Sequence, residues 1–267
     1  MARARALLRG WGDTPLSRIA RQPGYEYLPL AGDRCVLPVL HRGRLVLGLE
    51  EPVGPPSLRG RAIREFAGIC QTEGREPVLV PVRSAMLDEV GDAGFRTIPI
   101  GKEALLPIPG PSLSGREMKS LRQSLERGRR EGLVFELLLP PIDPRSLTAL
   151  RATSDAWVGE RRLAERRFGA GRWDRGRISR SRVAVVRNRF GRIEAFADLL
   201  EEYSKTEGSV DLLRRRPDAA PGAMEHLIVG IARALASDGK EVFNLGLAPL
   251  AGVGNDPGAG LAERGLA

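Results

Sequence analysis

Two stretches restrict the fold more than anything else in the chain. Arg34–Pro52 (RCVLPVLHRGRLVLGLEEP) and Arg182–Leu200 (RVAVVRNRFGRIEAFADLL) each join two apolar runs through a short polar turn, HRGR in one and NRFG in the other. That pattern predicts an antiparallel hairpin in each half. Helices and further strands follow both. In the first half Leu58, Ala62, Ile63, Phe66, Ile69 and Cys70 recur at helical spacing, with Gly74 as the stop. PVLVPV then reads as a strand, SAMLDEVGDAG as a short helix and FRTIPIGKEALLPI as another strand, giving the order β-β-α-β-α-β. In the second half Asp143 and Pro144 have the N-cap and first-turn positions of a helix. GSVDLLR reads as a strand. Met224, Leu227, Ile228, Ile231 and Leu235 share one face of a helix ended by Gly239, and EVFNLGL is the strand after it. The expected class is α+β (α/β-like), with the second half repeating the theme of the first.

Between the halves, the Pro/Gly/Ser stretch PIPGPSLSG marks a linker. The basic helix SGREMKSLRQSLERGRREG follows, with Ser114 and Glu117 at capping-box spacing. Met118, Leu121 and Leu125 form a narrow apolar stripe, and Arg116, Lys119, Arg122, Arg127, Arg129 and Arg130 cover the rest. A net charge of +9 points the same way, toward a polyanionic partner. Part of that excess reflects the arginine, glycine, alanine and proline bias of GC-rich coding. Aromatic residues make up only 5%, too few for a base-stacking platform.

Composition removes other classes. No run reaches the roughly 18 apolar residues of a membrane span. MARARALLRGWGD is basic, but its apolar part is short and no small-residue cleavage site follows, so no signal peptide is expected. Cys35 and Cys70 have no metal or redox spacing, which fits a reducing compartment. His41 and His226 lack Ser, Asp or Cys partners for a triad or metal site.

The densest chemistry lies in SVDLLRRRPDAAPGAMEHLI. Asp211 offers a carboxylate, Arg214 a guanidinium, and the loop Arg215–Gly222 leads to a helix N-terminus that attracts anions. Strict alternation puts Asp211 and Arg214 on opposite faces of a strand. They share a site only if the strand bends or ends near Leu213. As polar strand residues, neither is expected to carry the stability of the fold.

These residues, with their surroundings, resemble the catalytic domain of bacterial aminoacyl-phosphatidylglycerol synthases, the multiple peptide resistance factors. The resemblance runs through SVDLLRRRPDAAPGAMEHLI and FNLGLAPLAGVG, and extends to LGLEEPVG, AGFRTIPIGKEALLPI, KSLRQSLERGRREGLVFE, AERRFGAGRWD and RIEAFADL. It implies two tandem GNAT-like acyltransferase domains, here 1–110 and 133–267, joined by the basic helix region 111–132. It also implies transfer of an aminoacyl group from aminoacyl-tRNA to the hydroxyl of phosphatidylglycerol, which lowers negative membrane charge. Asp211 and Arg214 become the expected catalytic pair. Glu165, Arg172, Arg215, Asn244 and Gly246 are expected at the substrate, and Arg122, Arg127, Arg129 and Arg130 against tRNA or membrane.

No cofactor is expected. The pyrophosphate loop of coenzyme A-dependent GNAT enzymes is absent before Ala223, and its pattern at Arg166–Gly171 lies in the wrong place. The implied partners are aminoacyl-tRNA, phosphatidylglycerol in an anionic membrane, and a separate or fused flippase domain. The implied location is cytoplasmic, peripheral at the inner face of the membrane. The sequence departs from the family at Glu50-Glu51-Pro52, where the family has Gly-Asp-Pro, at Phe168–Asp174, and at its end, NDPGAGLAERGLA. The family continues through a Phe-Lys-x-Lys-Phe segment, so the second domain is expected to be truncated. The competing expectation is an inactive GNAT-like module that binds tRNA or anionic membrane, or a transferase with another acceptor.

Overall fold

The computed structural model describes residues 2–21, 24–108, 114–161, 171–200 and 204–252. It divides into two compact units, residues 1–104 with 247–267, and residues 105–246.

The first unit opens with α1 (Ala2–Trp11) and α2 (Pro15–Ile19). Its sheet has the order β1 (Glu26–Leu30), β2 (Cys35–Arg42), β3 (Leu45–Leu49), β4 (Glu76–Val80). The expected hairpin is β2–β3: Arg42 pairs with Leu45 across a two-residue turn in which Gly43 has φ +58°. The helix α3 (Pro56–Thr72) crosses over so that β4 lies parallel to β3. It buries Ala62, Ile63, Phe66 and Cys70 against Leu30, Leu37, Val39 and Val46. A 3-10 turn at Ser84–Met86 and α4 (Leu87–Asp92) follow, and β5 (Gly101–Pro107) begins in the first unit and continues into the second.

Sequence periodicity missed α1, and also α2 and β1, which are only five residues long each. It also began β5 too early, since residues 95–100 form no strand.

The second unit contains α5 (Lys119–Arg130), β6 (Val134–Leu138), α6 (Pro144–Arg161), α7 (Arg175–Ile178), β7 (Val183–Arg187), β8 (Ile193–Leu200), β9 (Glu207–Arg215), α8 (Ala223–Ser237) and β10 (Val242–Pro249). The six-stranded sheet runs β5-β10-β9-β8-β7-β6. Strands β6 to β9 pair antiparallel, and β10 lies parallel to β9 through the α8 crossover. Every residue of β8 is buried because helices cover both faces of the sheet. On one face Leu227, Ile231 and Leu235 of α8 pack on Ala184, Val186, Ala195, Ala197 and Leu199. On the other, Leu147 and Leu150 of α6 pack on Val183, Val185, Phe196 and Leu212. Gly230 lets α8 come this close, since a Cβ there would lie 2.1 Å from the Phe135 ring. Asp143 caps α6 as expected, accepting from the Arg145 and Ser146 N–H groups at 2.9 Å.

The capping box does not form. Gly115 takes φ +91°, which breaks the helical path, and α5 starts at Lys119 behind Met118 with no side-chain cap.

A buried acid in the first unit yields a stability prediction. Glu50 ends the β2–β3 hairpin with φ +60°, a left-handed conformation that favours glycine. Its carboxyl is hydrogen-bonded by the Thr14 hydroxyl, and Thr14 in turn N-caps α2 by accepting from the Ser17 N–H at 3.1 Å. Beside it, Glu51 is buried against Arg83 at 2.9 Å. Burial pushes Glu50 up to about 8, with the Thr14 hydrogen bond opposing and Glu51 adding to the rise. The folded state therefore holds a proton that the unfolded chain releases near 4.5. The stability contributed by that proton is lost as pH rises from there through about 8. Glu50→Gln is expected to raise stability at pH 8 by on the order of a few kcal/mol and to leave it nearly unchanged at pH 4. Melting curves of both proteins across this range test it; an equal shift at every pH would refute the protonated carboxyl.

Candidate functional site

The site is built on an irregularity in β9. Across β8 and β9, Ala197 pairs with Leu213 and Leu199 with Val210. One residue of β8, Asp198, thus faces two of β9, Asp211 and Leu212, which defines a β-bulge. The core records the same shift. Leu213 and Val210 both join the cluster under α8, whereas Leu212 joins the cluster under α6. Strict alternation would place Val210 with Leu212. The extra residue moves Asp211 to the α6 side, the side on which Arg214 reaches α6. The two residues therefore share a face because the bulge bends the strand just before Leu213, as the sequence reading required, and β9 does not end there but continues to Arg215.

The two side chains hold the same residue, Gly171, through the two peptide groups that flank its Cα. The Gly171 N–H donates to Asp211 Oδ1 at 2.7 Å, and Arg214 Nη2 donates to the Gly171 carbonyl at 2.6 Å. Arg214 Nη1 donates to the Ser154 hydroxyl, and the guanidinium lies 5.0 Å from the centre of the Trp157 ring. Asp211 Oδ2 pairs with Arg177 Nη2 at 2.8 Å, and Arg177 Nη1 pairs with Asp198. Arg177 is placed by α7, whose N-cap, Asp174, accepts from the Arg177 N–H at 2.7 Å. Burial opposes the charge on Arg177, but Asp198 and Asp211 outweigh it and raise its pKa. The side chains of Asp198 and Asp211 are 0% and 1% exposed. Arg214 is 2% exposed and among the largest fully buried side chains, so it supports the fold as well, contrary to the sequence expectation.

Downstream of Arg214, the loop 215–222 is held by a second network. Glu194, fully buried on β8, accepts from Asn188 Nδ2 at 2.6 Å, Arg192 Nε at 2.9 Å and the Ala220 N–H at 3.1 Å. Hydrogen bonds from Arg192, then Arg216, hold the Asp218 carboxyl below its ordinary range. The loop ends at Gly222, with φ +90°, and α8 begins at Ala223 as expected. A Cβ on Gly222 would lie 2.4 Å from the Ser124 carbonyl of α5, so glycine lets the basic helix sit directly on this corner.

The other expected residues are placed as follows. Arg172 is exposed, and its carbonyl accepts from Arg177 Nη2 at 3.3 Å. Arg215 is exposed and donates to the carbonyls of Arg216 and Pro217 at 3.0 and 3.4 Å. Asn244 is buried: its Nδ2 donates to Glu207 at 2.7 Å and its Oδ1 accepts from the Gly246 N–H at 2.8 Å. Glu165 lies outside the described residues. Arg122, Arg127, Arg129 and Arg130 are all exposed on α5, with Arg129 3.6 Å from Glu126.

Sequence reasoning missed Arg177, Asp198 and Ser154. Asp198 did leave a signal: an acid in the middle of the apolar run AFADLL. Among the described residues no group of His, Cys, Asp and Glu forms a metal site, and no helix is long and apolar enough to cross a membrane.

Comparison with known proteins bears on the whole chain. Residues 5–267 match the family model described as phosphatidylglycerol lysyltransferase, C-terminal. A phosphatidylglycerol lysyltransferase of Bacillus subtilis is 30% identical over 79% of the chain, which spans 24% of that relative's length. Among solved structures, L-PGS from Bacillus licheniformis superposes with a TM-score of 0.85 at 25% identity, covering 97% of this chain and 78% of that one. The C-terminal domain assigned to a lysylphosphatidylglycerol synthetase of Agrobacterium fabrum gives 0.83 at 30% identity, covering 93% and 77%.

Proposed function

Because this chain belongs to the phosphatidylglycerol lysyltransferase C-terminal family, we propose that it transfers an aminoacyl group from aminoacyl-tRNA to the glycerol hydroxyl of phosphatidylglycerol. The observation that carries this reading is the Asp211–Arg214 pair, brought to one face of β9 by the bulge. The reaction exchanges one ester for another. The lipid oxygen bonds to the acyl carbon, the bond to the ribose oxygen breaks, and the lipid hydroxyl's proton ends on that ribose oxygen. The protein's task is to hold two polyanions together and to stabilise the tetrahedral oxyanion.

Asp211 is held by the Gly171 N–H and by Arg177, and a carboxylate fixed in this way matches the ammonium of the incoming amino acid in charge. We assign Asp211 that anchoring role and Arg214 the oxyanion or phosphate. Arg172, Arg215, Asn244, Gly246 and Glu165 would line the substrate around them. The α5 arginines would meet tRNA phosphates. The architecture would be two tandem GNAT-like domains, 1–110 and 133–267, flanking the helix region 111–132. The protein would work peripherally at the inner face of the cytoplasmic membrane, beside a fused or separate flippase.

The test is direct: the chain, charged tRNA and phosphatidylglycerol vesicles, with aminoacyl-lipid measured by mass. Product that disappears with RNase supports the proposal. Acyl transfer from acetyl-CoA, or lipid product without tRNA, would overturn it.

A further inference from the structure

We infer that Asp198 is a positioning residue for the Asp211–Arg214 pair, acting without touching substrate. The inference rests on the reading of that pair as the reaction site. Asp198 is fully buried, and both its oxygens are committed to the pair's geometry. Oδ1 accepts the Leu212 N–H at 2.8 Å, the amide that the bulge removes from the β8–β9 ladder. Oδ2 meets Arg177, whose other terminal nitrogen binds Asp211 at 2.8 Å. A regular ladder would satisfy the Leu212 amide with a backbone carbonyl and turn Asp211 toward the α8 side, away from Arg214. With the carboxylate of Asp198 as a substitute acceptor, the amide of the bulged residue is satisfied without the ladder. Arg177 then fixes the direction in which Asp211 points. One buried acid thus holds both the backbone register and the side-chain orientation.

Without Asp198, the bulge has a buried N–H without its acceptor, and Arg177 has lost one of its two carboxylates. Relaxation to regular pairing becomes favourable, at the expense of the shared face. Asp198→Ala is therefore expected to lower kcat about 10²-fold, the scale on which small misplacements act. KM for charged tRNA should stay within about twofold, because the phosphate-binding surface on α5 is untouched. Val185→Ala, a core truncation on the neighbouring strand, provides the stability control, with kcat within about twofold of wild type.

Deleting Leu212 in the Asp198→Ala background supplies the specific readout. It leaves Asp211 two positions from Arg214, a spacing that regular alternation places on one face. The deletion should restore at least about tenfold of the lost kcat. If the deleted chain does not fold, crystal structures and hydrogen exchange of the Leu212 amide in Asp198→Ala decide instead. A restored ladder with Asp211 on the α8 side supports the inference. A retained bulge, or an unchanged kcat in Asp198→Ala, overturns it. If the wild-type chain transfers no aminoacyl group at all, the functional reading fails, and the same structures still judge the role of Asp198.

Discussion

Asp211→Asn and Arg214→Ala are each expected to slow aminoacyl-lipid formation about 10²-fold or more. Together they should lose far less than the product of the two effects. Both side chains hold Gly171, one through its N–H and the other through its carbonyl, so either loss loosens the same residue. Stability separates the two variants. Asp211→Asn keeps the shape and an acceptor oxygen, and its melting temperature should fall only modestly. Arg214→Ala removes a fully buried side chain that contacts Ser154 and Trp157, and should destabilise the second unit by about 2–4 kcal/mol. The measurements are kcat and KM with charged tRNA and lipid vesicles, beside thermal melting. If the variants melt lower yet keep near wild-type turnover, the pair is a structural clamp and nothing more.

Reversing the charge of Arg122, Arg127, Arg129 and Arg130 together should nearly abolish tRNA binding at physiological salt. All four are exposed on α5, whose inner face, Leu121, Ser124, Leu125 and Gly128, is turned inward. The outer residues can therefore change without disturbing the packing against α8. Each phosphate released reduces the log–log salt slope by about 0.7 to 0.9, so four lost contacts should flatten it by roughly 3. Titrations of uncharged tRNA between 50 and 200 mM salt, as an approximate working range, measure the slope. Asp211→Asn should bind tRNA like wild type, separating recognition from chemistry. Unaltered tRNA binding, with a loss only on phosphatidylglycerol vesicles, would assign the helix to the membrane and refute the tRNA contact.

The parts of the protein that were legible in the sequence are those governed by near neighbours. The two hairpins declare themselves by apolar runs around short turns. The helices α3 and α8 do so by spacing, and α6 by Asp143 followed by Pro144. These signals involve residues within one or two turns of each other, so no tertiary information is needed. Periodicity failed where a segment is short, as in α2 and β1, or where one backbone torsion overrules a motif. Gly115 at φ +91° cancels the Ser114–Glu117 capping box because the chain leaves the helical path between them.

At the site, the sequence by itself determined which residues are present and their order: an acid, a guanidinium three positions later, and a loop leading to a helix. It did not determine that they meet. Alternation in β9 argues against it, and the answer lies in a residue of β8 thirteen positions upstream of Asp211. Only pairing with β8 shows that Asp198 accepts the displaced Leu212 amide and that Arg177 links the two carboxylates. The physical reason is that a bulge is a property of two strands: its register, and the partner for its unpaired amide, exist only once both strands are in place.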